Sequence, residues 1–272
     1  MPSQRNDLRL DNANESKNTR MDFSKLNDHM DYRKDEVMHI GRYTNAAGTM
    51  VELSKKLGRP IRVLDIGCGE MNSVRLLYRA FQVKKADVVQ EYVGVDIDYI
   101  MAEKAMKYKH AYSACKARFV IQDLTVNGKL DFPDGYFDLI ICFEFLEHIK
   151  TRFAPPILRE AFRVLRPGGT ALFSTPNSNG SNEKLPVDHV YEYSYEELLQ
   201  MFSEAGFHVD KAIGVCVNIS RIPEEEREAK RELIDRFYQA FGNNTPFACV
   251  AMAPIFRPRN CKNVLYRLSK RG

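Results

Sequence analysis

Val63-Leu64-Asp65-Ile66-Gly67-Cys68-Gly69 is a buried-strand pattern that breaks into a glycine turn just ahead of a helix opening near Asn72 or Ser73. Glycines let a backbone bend tightly and approach a ligand, and a helix N-terminus behind such a turn favours a negative group. A dinucleotide-binding turn would continue as G-x-G-x-x-G, but the third position after Gly69 is Asn72, so that fingerprint fails. Outward from the turn the chain alternates. Strands are expected at 61–66, 92–96, 118–122, 137–142, 169–175 and 207–214, and helices at 72–83, 99–114, 154–164 and 194–205. An opening helix from Asp35 to Leu57 precedes them and stops before Gly58 and Pro60. IRVLDI, YVGVDI, FDLIICF and GTALFST are nearly continuous in apolar residues, as strands covered on both faces are. Such alternation implies parallel pairing through crossover helices, an α/β doubly wound sheet.

The strand ends carry acids. Val93-Gly94-Val95-Asp96 places a carboxylate where ribose hydroxyls would lie, because a carboxylate accepts two hydroxyl hydrogen bonds and repels phosphate. Gln122-Asp123-Leu124 ends the third strand, and Phe137-Asp138-Leu139-Ile140-Ile141 begins the fourth. In this order VLDIGCG, YVGVDID, QDL, DGYFDLIICFEFLEHI, RVLRPGG and STPN, spread over about residues 35–215, the chain resembles the class I S-adenosylmethionine-dependent methyltransferases. The resemblance implies a mostly parallel, seven-stranded Rossmann-like sheet with an antiparallel last strand, and S-adenosyl-L-methionine as methyl donor. It implies that Asp65, Gly67 and Gly69 cradle the methionine part, Asp96 the ribose, Asp123 with Leu124 the adenine, and that Cys142 and Phe143 line the sulfonium end. Many members carry a third glycine two positions after the second. Here that position is Met71, which would crowd the amino-acid end of the ligand. Asp98 and Asp138 are expected to be structural, one a helix cap and one a strand-edge acid.

Just beyond the fourth strand, Glu144, Glu147 and His148 fall within about one helical turn, and Asp188-His189 follows the fifth strand. Such oxygen and nitrogen donors suit a divalent cation such as Mg2+. This E-x-x-E-H with a later D-H is similar to the metal site of small-RNA 3′-terminal 2′-O-methyltransferases, and E-x-x-E-H is shared with ubiquinone-biosynthesis O-methyltransferases. Glu144, Glu147, His148 and His189 are therefore the candidate catalytic set and the candidate cation ligands. Either Glu147 or His148 takes the proton of a hydroxyl acceptor, or a metal lowers that hydroxyl's pKa. The alternative, in which Glu147 and His148 order the loop while Glu144 meets the ligand, stays open. The run Tyr191, Tyr193, Tyr195 fits half-buried packing or a stacking surface.

Length and composition bound the rest. A chain of 272 residues with 44% hydrophobic residues supports one large core. The longest apolar runs, such as Leu139 to Phe143, fall far short of the ~20 residues of a membrane-spanning helix, and the N-terminus lacks the apolar core of a secretory signal, so a cytoplasmic protein is expected. Residues 1–30 are polar and read as a flexible tail, 31–220 as the cofactor-binding core, and 221–256 as a helical insertion on the substrate side. Within the insertion, Leu233, Ile234, Phe237, Tyr238 and Phe241 keep helical spacing. FACVAMAPIF and NVLYRLSK follow as strand candidates, and 257–272 reads as a basic edge strand and tail with Arg257, Arg259, Lys262, Arg267, Lys270 and Arg271. The six cysteines are scattered without CxxC pairs and read as free thiols. A net charge of +4 permits an anionic partner without requiring one.

The acceptor, a small molecule or a nucleic acid, is left open, as is the oligomeric state. Cys142-Phe143-Glu144-Phe145 stands where amino-group DNA methyltransferases carry Asp/Asn-Pro-Pro-aromatic, which argues against base amino methylation. The rivals are a metal-dependent RNA or other nucleic-acid methyltransferase and a non-catalytic S-adenosylmethionine-binding protein. Met71 encourages the latter; Asp96, Asp123 and the Glu-x-x-Glu-His set oppose it.

Overall fold

Seven strands form one sheet in the order β3-β2-β1-β4-β5-β7-β6, with β7 antiparallel to both its neighbours and the other pairs parallel. The strands are β1 (Ile61–Ile66), β2 (Val89–Asp96), β3 (Lys116–Ile121), β4 (Phe137–Phe143), β5 (Leu165–Pro176), β6 (His208–Cys216) and β7 (Asn263–Ser269). This computed structural model describes residues 32–74, 88–107, 115–178, 185–242 and 245–272. The expected tail at 1–30 lies outside the described residues, as do the later parts of the helices expected at 72–83 and 99–114.

Burial explains the near-continuous apolar runs. Every residue of β4 is buried, and successive side chains alternate between two cores: Leu139 and Ile141 face one, Ile140 and Cys142 the other. Val63 shares the first core and Leu64 and Ile66 the second. Helix α1 (Tyr32–Leu57) covers the first face with Ala46, Ala47, Met50 and Leu53, a stripe at helical spacing. It ends at Gly58, whose φ of 64° is the left-handed conformation that glycine tolerates. Helix α2 (Tyr99–Lys107) follows β2, its opening amide at Ile100 capped by Asp98 at 2.7 Å, and the one-turn α3 (Leu124–Asn127) follows β3. The second face is covered by α4 (Ala154–Val164), which buries Ile157, Leu158, Ala161 and Val164, and α5 (Tyr195–Glu204), which opens with the reciprocal Ser194–Glu197 capping box.

Two expectations need correction. FACVAMAPIF is not a strand: α8 (Pro246–Met252) and a 3-10 turn at Ala253–Ile255 take its place, after α6 (Glu224–Glu228) and α7 (Arg231–Phe241). Thr245 caps α8 by accepting from the Ala248 amide at 3.2 Å, and Pro246 occupies its first turn, where its missing N–H costs nothing. Nor is the basic C-terminal strand an edge. β7 lies between β5 and β6 and is nearly all buried, so the sheet edge on that side is β6. Its basic residues work locally: Arg267 forks onto Glu52 at 2.7 and 2.8 Å, and Lys270 Nζ donates to the Phe162 carbonyl at 2.9 Å.

Asp138 is the structural acid expected. Buried at the start of β4, it accepts from Arg59 through both terminal nitrogens, from Arg166 Nε at 2.6 Å and from the Arg62 amide at 2.9 Å. All six cysteines are free thiols. Among the described residues no helix is long and apolar enough to cross a membrane.

Candidate functional site

In an open α/β sheet, ligands lie beyond the carboxyl ends of the strands where the strand order reverses. Here that point is β1, which pairs with β2 on one side and β4 on the other. Beyond β1 the amides of Gly67 and Cys68 both donate to the Val95 carbonyl, at 2.8 and 3.2 Å, folding the turn over the end of β2. Gly67 and Gly69 take φ values of 66° and 47°. A Cβ on Gly67 would come within 2.7 Å of Phe145 Cδ2, whereas one on Gly69 would meet nothing within 4 Å, so Gly69 faces open space. The Gly69 amide donates to Asp96 Oδ2 at 2.9 Å and the Asp98 amide to Asp96 Oδ1 at 3.1 Å. Burial raises the Asp96 carboxyl above its ordinary value, against the pull of these amides. Each oxygen keeps a lone pair for a further donor.

The other expected cofactor residues divide by depth. Asp65 sits beneath the turn, 4% exposed, and accepts a short hydrogen bond from the Tyr92 hydroxyl. Asp123 caps α3, accepting from the Thr125 amide and hydroxyl at 2.8 and 2.6 Å, and Leu124 is buried in the core. Cys142 and Phe143 are buried at the end of β4. Sequence reasoning passed over Ile97 and Ile121, exposed apolar side chains at the carboxyl ends of β2 and β3 beside Asp96. An apolar residue directly after the strand-end acid was the available signal. Met71 adopts φ 57° yet is buried at 2%, packed towards Gly94 in the core with α1, so its side chain turns away from the open face of Gly69.

A second group, also missed, comes from α1. Arg42 is 1% exposed, and its Nη1 lies 2.6 Å from Glu144 Oε1. Glu144 also accepts from the Ser174 hydroxyl at 3.0 Å and from Asn263 Nδ2 at 2.9 Å, so its carboxylate is held by α1, β5 and β7 at once. Its backbone stands at φ 49°, a left-handed conformation uncommon outside glycine. Arg42 Nη2 is 2.9 Å from His39 Nδ1, and burial first, then the Arg42 charge, bring the His39 imidazole down to about 4. His39 is therefore neutral and accepts from Arg42. Tyr43 packs its ring against Phe143, with centroids 6.3 Å apart. An arginine on the same helical stripe as Ala46 and Met50 was the sequence signal for this group.

Glu147, His148 and His189 do converge. One ligand atom from each lies within 4.8 Å of the others. Glu147 is wholly buried; its Oε2 accepts from the Thr175 hydroxyl at 3.1 Å, and its Oε1 has no hydrogen-bond donor among the described residues. Burial, and then the charge of Glu144, push its carboxyl well above the ordinary range. His148 Nδ1 lies 2.8 Å from the Asp188 carbonyl, which can only accept, so that nitrogen carries the proton. His189 Nδ1 is likewise 2.8 Å from Glu192 Oε1. Both rings thus have Nδ1 fixed by an acceptor and Nε2 left outside these bonds, the arrangement of histidine metal sites. The rings meet edge to face with centroids 5.0 Å apart. Burial lowers the His148 pKa, keeping it a neutral donor. Glu144, expected in the same set, is committed to Arg42, Ser174 and Asn263 and leaves three donors in place of four. The tyrosines pack: Tyr193 is buried, and Tyr191 donates to Glu197 at 2.7 Å.

Comparison with known proteins bears on the family and the fold. A Mycolicibacterium smegmatis protein named as a probable S-adenosylmethionine-dependent methyltransferase is 31% identical over 159 residues, 56% of this chain and 54% of its own length. A ubiquinone biosynthesis O-methyltransferase of Idiomarina loihiensis is 32% identical over 119 residues, 43% of either chain. The chain thus spans about half the length of the curated relatives it matches. The crystal structure of the Burkholderia thailandensis 1,6-didemethyltoxoflavin-N1-methyltransferase superposes with a TM-score of 0.60 at 18% identity, covering 95% of this chain and 90% of that one, a likeness of fold. A family profile described as a methyltransferase domain matches residues 38–212, well over half of the sequence and including the glycine turn, Asp96 and the Glu147–His148 segment. The chain belongs to this methyltransferase-domain family.

Proposed function

We propose that this protein transfers the methyl group of S-adenosyl-L-methionine to an oxygen or nitrogen of an acceptor held beyond β4 and β5, with Glu147, His148 and His189 holding a divalent cation. The observation that carries the reading is adjacency. Phe145, in the loop leading to Glu147, stands against Gly67, so the donor trio and the open glycine turn share one end of the sheet. In-line placement supplies much of the rate of methyl transfer, since the sulfonium already activates its carbon. Asp96 would take the ribose hydroxyls on its remaining lone pairs, and the open face of Gly69 leaves room for the donor's chain.

Two imidazoles and one carboxylate suit a borderline cation such as Zn2+ better than Mg2+, which prefers an all-oxygen shell. The buried Glu147 Oε1 without a donor fits a site that a cation completes. Such a cation, when bound, lowers the pKa of a hydroxyl acceptor. Asp188 and Glu192 fix the orientation of the His148 and His189 rings through Nδ1, and Thr175 fixes the Glu147 carboxyl.

The test has two parts. Calorimetry should find binding of S-adenosylmethionine or its demethylated product, weakened by about 1–3 kcal/mol in Asp96→Ala through lost charged hydrogen bonds. Turnover of pooled nucleosides, RNA, DNA and metabolites, followed by mass, should then fall with chelator and return with Zn2+. No binding of either cofactor form would overturn the methyltransferase reading, and turnover indifferent to chelator would overturn the cation.

A further inference from the structure

The first turns of α1 overhang the end of the sheet at which methyl transfer is placed. Only residues 58–60 separate its last turn from the start of β1, so α1 runs against the strands and begins at their carboxyl ends. Tyr43 marks the level, because its ring packs against Phe143, the last residue of β4, with centroids 6.3 Å apart. His39 lies on the same helical face four residues earlier, about 6 Å further along the axis and so beyond the strand ends. Its ring stacks on Tyr43, with centroids 5.6 Å apart and planes within 14°. Phe143, Tyr43 and His39 thus make an aromatic wall that rises from the end of β4. Arg42, on the same face, ties that wall to the residue just past the strand: its Nη1 is 2.6 Å from Glu144 Oε1 and its Nη2 2.9 Å from His39 Nδ1. A guanidinium only donates, so Nδ1 accepts, and the single proton of the neutral imidazole is on Nε2. The ring stays neutral at physiological pH, since burial and then the Arg42 charge bring it down to about 4. Among the described residues the Nε2–H meets no acceptor.

The geometry points to His39 as a specificity residue of the acceptor site: its Nε2–H donates to an oxygen on a flat, uncharged ring of the acceptor, laid along the wall of Phe143, Tyr43 and His39. This rests on the reading that the acceptor reacts beyond β4 and β5. Aromatic side chains favour a flat partner through offset or edge-to-face contact. A half-buried N–H adds direction, because a ring without the matching oxygen would cover the donor and leave it unpaired. No anion is called for: Glu144 already balances Arg42, and His39 carries no charge. Arg42 is the positioning residue, acting through the tautomer it imposes on His39.

The full chain, with and without saturating S-adenosylhomocysteine, is titrated with acetophenone, a flat ring bearing a carbonyl, and with ethylbenzene, its counterpart lacking the oxygen. His39→Phe keeps a ring to stack on Tyr43 but has no donor, whereas the amide of His39→Gln restores an N–H near the place of Nε2. Saturable binding of acetophenone is expected, with a Kd raised roughly fivefold or more in His39→Phe and returned towards the parent in His39→Gln. Ethylbenzene should not distinguish parent from His39→Phe, and S-adenosylhomocysteine affinity should be the same in all three proteins. Imidazole 15N spectra of the parent should show the His39 proton on Nε2. Acetophenone binding that never saturates, that is indifferent to His39→Phe or that stays weak in His39→Gln overturns the assignment, as does a proton on Nδ1. Failure of S-adenosylhomocysteine to bind tells instead against the methyltransferase reading, and the titration of the ligand-free chain then decides the role of His39 alone.

Discussion

Replacing Glu144 by Gln should destabilise this protein more than any other single change at the site, because of what it leaves behind. Arg42 is 1% exposed and its Nη1 is 2.6 Å from the Glu144 carboxylate. A guanidinium cannot shed its proton at accessible pH, so the variant strands a buried charge whose other neighbour, His39, is a neutral acceptor. Breaking a buried pair in this way costs about 3–5 kcal/mol. At about 2–4 °C per kcal/mol for a domain of this size, Tm should fall by roughly 6–20 °C. Arg42→Met should cost less, about 1–3 kcal/mol, because Glu144 keeps its Ser174 and Asn263 donors and is partly open to water. Combining the two removes both charges, so the double variant should be more stable than the sum of the singles predicts by about 2 kcal/mol. Urea titrations of the four proteins measure this cycle. Glu144→Gln within about 1 kcal/mol of the parent, or singles that add within about 0.5 kcal/mol, would refute the argument.

Three further outcomes follow from the glycine turn and its surroundings. Asp65 is pushed up to about 7, chiefly by burial, from an ordinary 3.8, so the stability gained by holding its proton is full below 3.8 and lost as pH rises through about 7. The parent should lose on the order of 4 kcal/mol across that window on this account, and Asp65→Asn should flatten the slope in denaturation curves taken from pH 4 to 8. Gly69→Ala should cost only about 1 kcal/mol of stability for its positive φ yet weaken S-adenosylhomocysteine binding, while Gly67→Ala also collides with Phe145 and should lower Tm further; equal melting temperatures for the two would disprove the distinction. Met71→Gly relieves a left-handed backbone worth about 1–2 kcal/mol but exposes the loss of a buried side chain worth about 1.5–3 kcal/mol and adds chain entropy, so a net loss is expected by calorimetric melting.

Local patterns were legible in the sequence and distant pairings were not. β1 and β4 announce themselves because burial on both faces demands unbroken apolar runs, and the glycine turn with Asp96 needs only residues at strand ends. FACVAMAPIF was misread because a short apolar run has no decisive period; Thr245 and Pro246, a cap and a first-turn proline, carry the information. The run NVLYRLS shows a buried strand but not its neighbours, so its place between β5 and β6 was invisible. Glu144 carried the right chemistry in the wrong company. Nothing near it in sequence announces Arg42, Ser174 or Asn263, which reach it from three separate elements.

The interior position of β7 has a consequence for the order in which this molecule can be assembled during synthesis. Among the described residues β6 pairs with no strand but β7, and residues 217–262 separate them. Until that whole stretch has left the ribosome, β6 has no template, and the long apolar β5 offers an open flank to any passing strand. A nascent chain stalled before Asn263 therefore carries its greatest hazard of misassociation at the moment when most of its cofactor-side architecture is already built.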